Sequence, residues 1–275
     1  MQNRLLDYYT KQCDLFVVNF NRALSDFDKE AIHDMRVAIK RIRAIFLLME
    51  RLFPGRYNAT EEEGKLRELF RLSGRMRDAQ VQQQLLSANT IHLGSTFGEY
   101  QAYLQKSEIK AIRKFKEFLK DFDAESELNQ LKVKTGLLIS EADPQLIRFQ
   151  IIQFVDELFL KAGQMHTDHE HDENLHEIRR KLKQCHYLLS VISKEDDDLP
   201  HLNTTLKRLD KVNDLLGNWH DQLIAMEILD RFLEKFRKKE EAGENRYLLL
   251  RETLAENRYD LYSKVLTYFS DKMNL

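Results

Sequence analysis

Four polar residues on one helical face recur 143 residues apart in this chain, and that recurrence restricts the fold more than any other feature. In the segment HDMRVAIKRIR, His33, Arg36, Lys40 and Arg43 share a face at 3.6 residues per turn. Met35, Ile39, Ile42, Phe46 and Met49 lie on the opposite side, at core spacing. The second copy has His176, Arg179, Lys183 and His186 as its row, and Ile178, Leu182, Cys185, Leu189 and Ile192 as its stripe. Aligned without a gap, residues 33–81 and 176–224 are identical at seven of 49 positions: His33, Arg36, Lys40, Leu66, Leu72, Gly74 and Asp78 match His176, Arg179, Lys183, Leu209, Leu215, Gly217 and Asp221. Helical periodicity accounts for a recurring Leu. It does not account for recurring His, Gly and Asp at one offset, so a duplicated helical unit is the better reading than two unrelated amphipathic helices.

The turn residues agree. Nine Gly and three Pro in 275 residues suit long helices and argue against a sandwich or a doubly wound sheet. Apolar residues make up 43% and charged residues 32%, enough to bury a core. No apolar run approaches the ~20 residues of a membrane span. The start, MQNRLLDYYTKQCDLF, carries charges where a signal peptide needs a continuous apolar segment. Cys13 and Cys185 are too few for a disulfide framework, so a cytoplasmic setting is expected. With 43 basic and 45 acidic residues the net charge is −2, so any polyanion binding must come from local segregation of cations.

Taken in order, the spacing predicts a helix over 2–24 and a second from the acidic turn at 25–30 to about Phe53, stopped by Pro54-Gly55. A third starts at a Thr60/Glu63 capping box and reaches about Ala88, and a fourth covers 96–122. Residues 126–143 read as a linker, with room for a short helix around 127–139. Pro144 opens a helix to about Met165, HTDHEHDEN (166–174) is a polar loop, and the His176 helix ends in KEDDDLP (194–200). Helices over 202–239 and 244–272 complete the pattern. The expectation is an all-α chain of eight helices, with repeat halves 1–125 and 144–275 inside one domain spanning 1–275.

At these residues the sequence resembles the CHAD family, the "conserved histidine α-helical domain". The resemblance rests on His33-x-x-Arg36-x-x-x-Lys40-Arg41-x-Arg43 and Leu72-x-Gly74-x-x-Arg77-Asp78 in the first half. In the second half it rests on His176-x-x-Arg179-x-x-x-Lys183 with Tyr187, and on Leu216-Gly217-x-x-His220-Asp221. It implies two pseudo-symmetric four-helix bundles whose basic faces meet along a central groove or pore. It also implies binding of inorganic polyphosphate without catalysis or cofactor. The second half departs from the pattern, since Gln184, His186 and His220 stand where the first half has Arg41, Arg43 and Arg77.

A linear polyanion needs cations in a line. Arg offers a planar fork to phosphate oxygens, Lys a point charge and protonated His a further donor. The first-rank candidates are therefore His33, Arg36, Lys40, Arg43, His176, Arg179, Lys183 and His186, with Arg41, Arg75, Arg77, Arg113, Lys114, Arg180, Lys207, Arg208 and His220 behind them. Asp78 and Asp221, each one turn beyond Gly74 and Gly217, suit carboxylates that hold a cation in place. The rival reading of each basic row is a solvated face or pairing with acids of a neighbouring helix; for the histidines it is a capping or packing role. Binding is expected to weaken with salt and to tighten as pH falls through the histidine range.

Two other classes stay open. His166, His169, His171 and His176 with Asp168, Glu170 and Asp172 could hold a divalent metal, although a solvated polar loop is the better reading, and no metal or cofactor is expected. A scaffold binding an acidic protein or nucleic acid is the second, with nucleic acid disfavoured and no membrane partner expected. Glu61-x-Glu63-x-Lys65 matches the ExExK signature of triphosphate tunnel phosphatases, but it opens a helix rather than lining a barrel strand. No catalytic residue is assigned. Polyphosphate granules or polyphosphate-metabolising enzymes are the expected company of such a binder.

Overall fold

In the computed structural model, residues 1–166, 172–192, 201–237, 244–269 and 271 are described. Among them are nine α-helices and no strand: α1 Gln2–Asp26, α2 Lys29–Leu52, α3 Ala59–Leu93, α4 Gly98–Leu119, α5 Ala124–Glu141, α6 Pro144–His166, α7 Asp172–Leu189, α8 Leu202–Arg237 and α9 Glu244–Tyr268. The starts of α7 and α8 lie 143 residues after those of α2 and α3, the offset read in the sequence. Consecutive helices pack in pairs, α1 on α2, α3 on α4, α6 on α7 and α8 on α9. The halves meet where α2 packs on α6 and α7, and where α3 packs on α8.

Local chemistry sets the boundaries. Phe27 takes the left-handed conformation (φ 58°) that turns the chain out of α1. Asp28 then caps α2, accepting from the Ala31 N–H at 2.7 Å. Asp143 caps α6 in the same way, accepting from Gln145 and Leu146 next to Pro144.

Two expectations need correction. Residues 126–143 are not a linker. Residues 126–141 lie within α5, capped by Asp123 and buried through Leu128, Thr135, Leu138 and Ile139, and only Ala142 and Asp143 join it to α6. Lys132 pairs with Asp14 on α1 at 2.8 Å, and the Tyr57 hydroxyl meets Thr135 at 3.0 Å. Val133 and Leu137 are exposed, which blurs the period that would have announced the helix. The start of α3 is also capped by Asn58, not Thr60. The Asn58 side chain accepts from the Thr60 and Glu61 N–H groups, while Glu63 turns inward. Gly64, at φ +38° and ψ −125°, kinks the helix just beyond, a geometry glycine tolerates.

The main core runs through both halves, from Leu5, Tyr9 and Phe16 to Leu216 and Trp219. A second cluster clamps α3 and α4 to α8 and α9 through Phe97, Tyr100, Phe232, Phe236 and Tyr247. No helix among the described residues is long and apolar enough to cross a membrane. His169, His171, Asp168 and Glu170 lie outside the described residues.

Candidate functional site: two cationic rows that face each other

Burial of one stripe determines where the opposite face points. Met35, Ile39, Ile42, Phe46 and Met49 are fully buried on α2, and Ile178, Leu182 and Cys185 are fully buried on α7. Each helix is thus rotated so that its polar row lies beside the junction of the halves.

Arg36 is the best-held cation. Its Nη1 donates to the Phe70 carbonyl at 2.5 Å and to Ser73 Oγ at 3.1 Å, and the guanidinium lies 4.0 Å from the Phe70 ring centroid. Lys40 Nζ and the Arg43 guanidinium lie 5.7 Å and 5.5 Å from the same ring. Gly74 is part of this seat, because a Cβ there would come within 3.0 Å of Arg36 Nη1. Arg179 has a poorer seat. The positions matching Phe70 and Ser73 are Asn213 and Leu216, and its Nε is buried without a hydrogen-bond partner. At Gly217 an added Cβ would meet nothing within 4 Å, so no side chain packs into the space there as Arg36 does at Gly74. The two glycines should therefore separate in a mutational test. Gly217→Ala should stabilise the fold by up to about 1 kcal/mol, the helix-interior gain of Ala over Gly, read as a higher melting temperature. Gly74→Ala should displace the Arg36 fork and weaken anion binding instead.

The rows are close enough to govern each other's charge. Burial pulls Lys40 well below the usual lysine range, and Lys183, Arg36 and Arg179 push it further. Burial, then Arg179, brings Lys183 down to about 8 against the pull of Asp221 and Asp214. Burial lowers Arg36 to about 10, with Asp78 opposing. It lowers Arg179 as well, with Asp221 opposing. Asp78 and Asp221 are the carboxylates whose charge Arg36 and Arg179 feel. Burial raises both carboxyls and their mutual repulsion adds to the rise of Asp78, while Arg36 lowers Asp78 and Arg179 lowers Asp221. Asp78 is exposed and Asp221 half-buried.

The histidines stand at the ends of the rows. His33 and His176 are exposed on their helices, yet burial of the ring and the nearest arginines, Arg77 and Arg179, lower both. The His220 ring lies 5.0 Å from that of His176, and burial with Arg179 takes it down to about 4. Protonation of these rings therefore falls below the ordinary histidine range, and any acid tightening moves with it.

The other candidates divide. Arg77 joins the centre, acting on His33, Arg36, Asp78 and Asp221. Arg41 donates to Gln12 at 3.2 Å and lies over the Tyr187 ring. It lines a cavity of about 480 Å³ with His33, Lys183 and His186, opposite Asp34, Asp210 and Asp214. His186 Nε2 meets Asp210 there at 2.8 Å. Arg43 is turned away to the buried Glu63 at 2.8 Å, which also takes Arg67. Arg180 is exposed and paired with Glu177 at 3.1 Å. Arg75, Arg113, Lys114, Lys207 and Arg208 are exposed on α3, α4 and α8. Sequence reasoning missed Phe70, Ser73 and Glu63. The signal available was an aromatic residue one turn before Gly74.

The fold has solved counterparts. A crystal structure of the CHAD domain from the plant Ricinus communis superposes with a TM-score of 0.70 at 16% identity, covering 98% of this chain and 90% of that one. PptA from Streptomyces chartreusis does so at 0.70 and 14% identity, covering 100% of this chain and 99% of its own. No curated protein sequence matches the chain. The family model of the CHAD domain matches residues 8–230, from α1 well into α8. A match over most of the chain, on a fold shared with a CHAD domain structure, means that the chain belongs to the CHAD family.

Proposed function

We propose that this CHAD protein binds inorganic polyphosphate, or a similar linear polyanion, between α2 and α7, and that it acts as a binder without a catalytic step. What supports this reading is the packing of α2 on α7, with Arg36 and Lys40 beside the Phe70 ring and the charges of Lys183 and Arg179 reaching Lys40. Four cations from two halves repel one another at half-buried positions. That repulsion is a cost which a bound polyanion reverses, and a solvated face would have no reason to concentrate it. A line suits a chain better than a compact anion. From His33 to Lys40 the α2 row covers about 10 Å at the helical rise per residue. Polyphosphate-rich bodies and enzymes that make or consume the polymer are the company we assign to it, in the cytoplasm.

Titration with long-chain polyphosphate at increasing salt tests this. Displaced counterions should make log affinity fall linearly with log salt. The five central cations (Arg36, Lys40, Arg77, Arg179 and Lys183) by themselves contribute about −3 to −4 to the slope if each releases the single-strand share of a counterion. A slope near zero would overturn the reading.

A further inference from the structure

Helix α4 carries a second basic surface that the facing rows do not use. Lys106, Lys110 and Arg113 share its outer face, flanked by Lys114 and Lys116, and all five are exposed. The acids on that face are Glu99, already paired with Arg246 of α9 at 2.7 Å, and Glu117, paired with Lys120 at 3.0 Å. Lys106, Lys110, Arg113 and Lys114 make no ion pair among the described residues. The positions 143 residues later on α9 are Leu249, Thr253, Glu256 and Asn257, so one copy of the repeat alone has this face. Like charges one turn apart cost a few tenths of a kcal/mol per pair, about 0.2–0.5.

The surface adjoins one end of the rows. Lys116 Nζ lies 5.1 Å from the ring of Phe27, the turn residue just before the α2 cap. His33 follows within α2. On α3, Gln80 stands one turn beyond Arg77 and donates to the Phe27 carbonyl at 3.4 Å and to Glu108 of α4 at 3.1 Å. Phe27 and Gln80 thus join α4 to the start of α2 and to the Arg77 stretch of α3.

We infer that a polyphosphate chain too long for the facing rows continues from their His33–Arg77 end onto the outer face of α4, and that this helix gives the protein its preference for long chains. The inference rests on the polyphosphate reading above. A polymer is favoured over an anionic bilayer because Ile109 is the one large hydrophobic residue exposed on α4, and an interfacial helix needs an apolar face.

The test compares tripolyphosphate with long-chain polyphosphate on the full chain, using Lys106→Glu/Lys110→Glu/Arg113→Glu. These side chains are exposed, so circular dichroism should show the helical signal intact. The variant should lose about tenfold or more in affinity for the long chain, and its salt slope should shrink by about 2, three cations at the single-strand share. Tripolyphosphate affinity should stay unchanged. Arg36→Ala/Arg179→Ala should lose both ligands. Long-chain affinity and slope unchanged in the α4 variant would overturn the inference and leave the central rows standing. An equal loss of both ligands would also overturn it, as a general field effect. So would wild-type binding to phosphatidylglycerol vesicles that the α4 variant loses while it keeps the long chain. Retention of both ligands by the double arginine variant would instead sink the polyphosphate site between α2 and α7.

Discussion

Replacing Arg36 and Arg179 together with Ala should weaken polyphosphate binding by about two to four orders of magnitude, at about 1.5–3 kcal/mol for each charge-assisted hydrogen bond removed. The Arg36 guanidinium is held by Phe70 and Ser73, while Arg179 is half-buried within the field of Asp221. Pre-positioned forks lose less side-chain entropy on meeting phosphate than free surface arginines do. The scaffold should tolerate the change. Both side chains sit at the edge of a core that the α2 and α7 stripes fill, and removing them relieves repulsion on Lys40. The melting temperature should therefore stay within about 5 °C of wild type, less than a core truncation would cost. The single variants should differ, with Arg36→Ala the more harmful, because Arg179 lacks an aromatic seat. A folded double variant with wild-type affinity would refute the assignment.

Affinity should also fall as the solution is made alkaline. Lys183 in the free protein loses its proton around pH 8, and Lys40 titrates well below an ordinary lysine. A bound polyanion favours the charged forms, so binding takes up protons above pH 8. The decline from pH 8 to 10 should reach roughly tenfold for each lysine that discharges. The free protein should move the other way. An unfolded Lys183 titrates near the ordinary 10.5, so between about 8 and 10.5 the unfolded state holds the extra proton. Stability contributed through this group therefore rises with pH in that window. Lys183→Arg should flatten the binding decline, because arginine keeps its charge throughout. A wild-type profile level from pH 7 to 10, or a decline untouched by Lys183→Arg, would count against a charged Lys183 at the site.

Much of this could be read from residues in order. The α2 and α7 stripes are local facts of 3.6-residue spacing, and all five apolar positions expected on each are buried. Asn58 shows the limit of local reading, since it competed with Thr60 for the same cap and both obey the same chemistry. Helix α5 shows another limit, because exposed Val133 and Leu137 made a buried face look unpatterned.

The 143-residue recurrence, the helical class and the identity of the two basic rows could be read from the sequence alone, because they depend on spacing along one chain. Which cations act together was decided only by the tertiary structure. Arg43 and Lys40 sit three residues apart on one helix. Yet Arg43 turns to a buried Glu63 from α3, while Lys40 meets Lys183 from the other half. The physical reason is that a charge answers to whatever lies within a few ångströms, and at the junction of α2, α3, α7 and α8 those neighbours come from segments far apart in the chain.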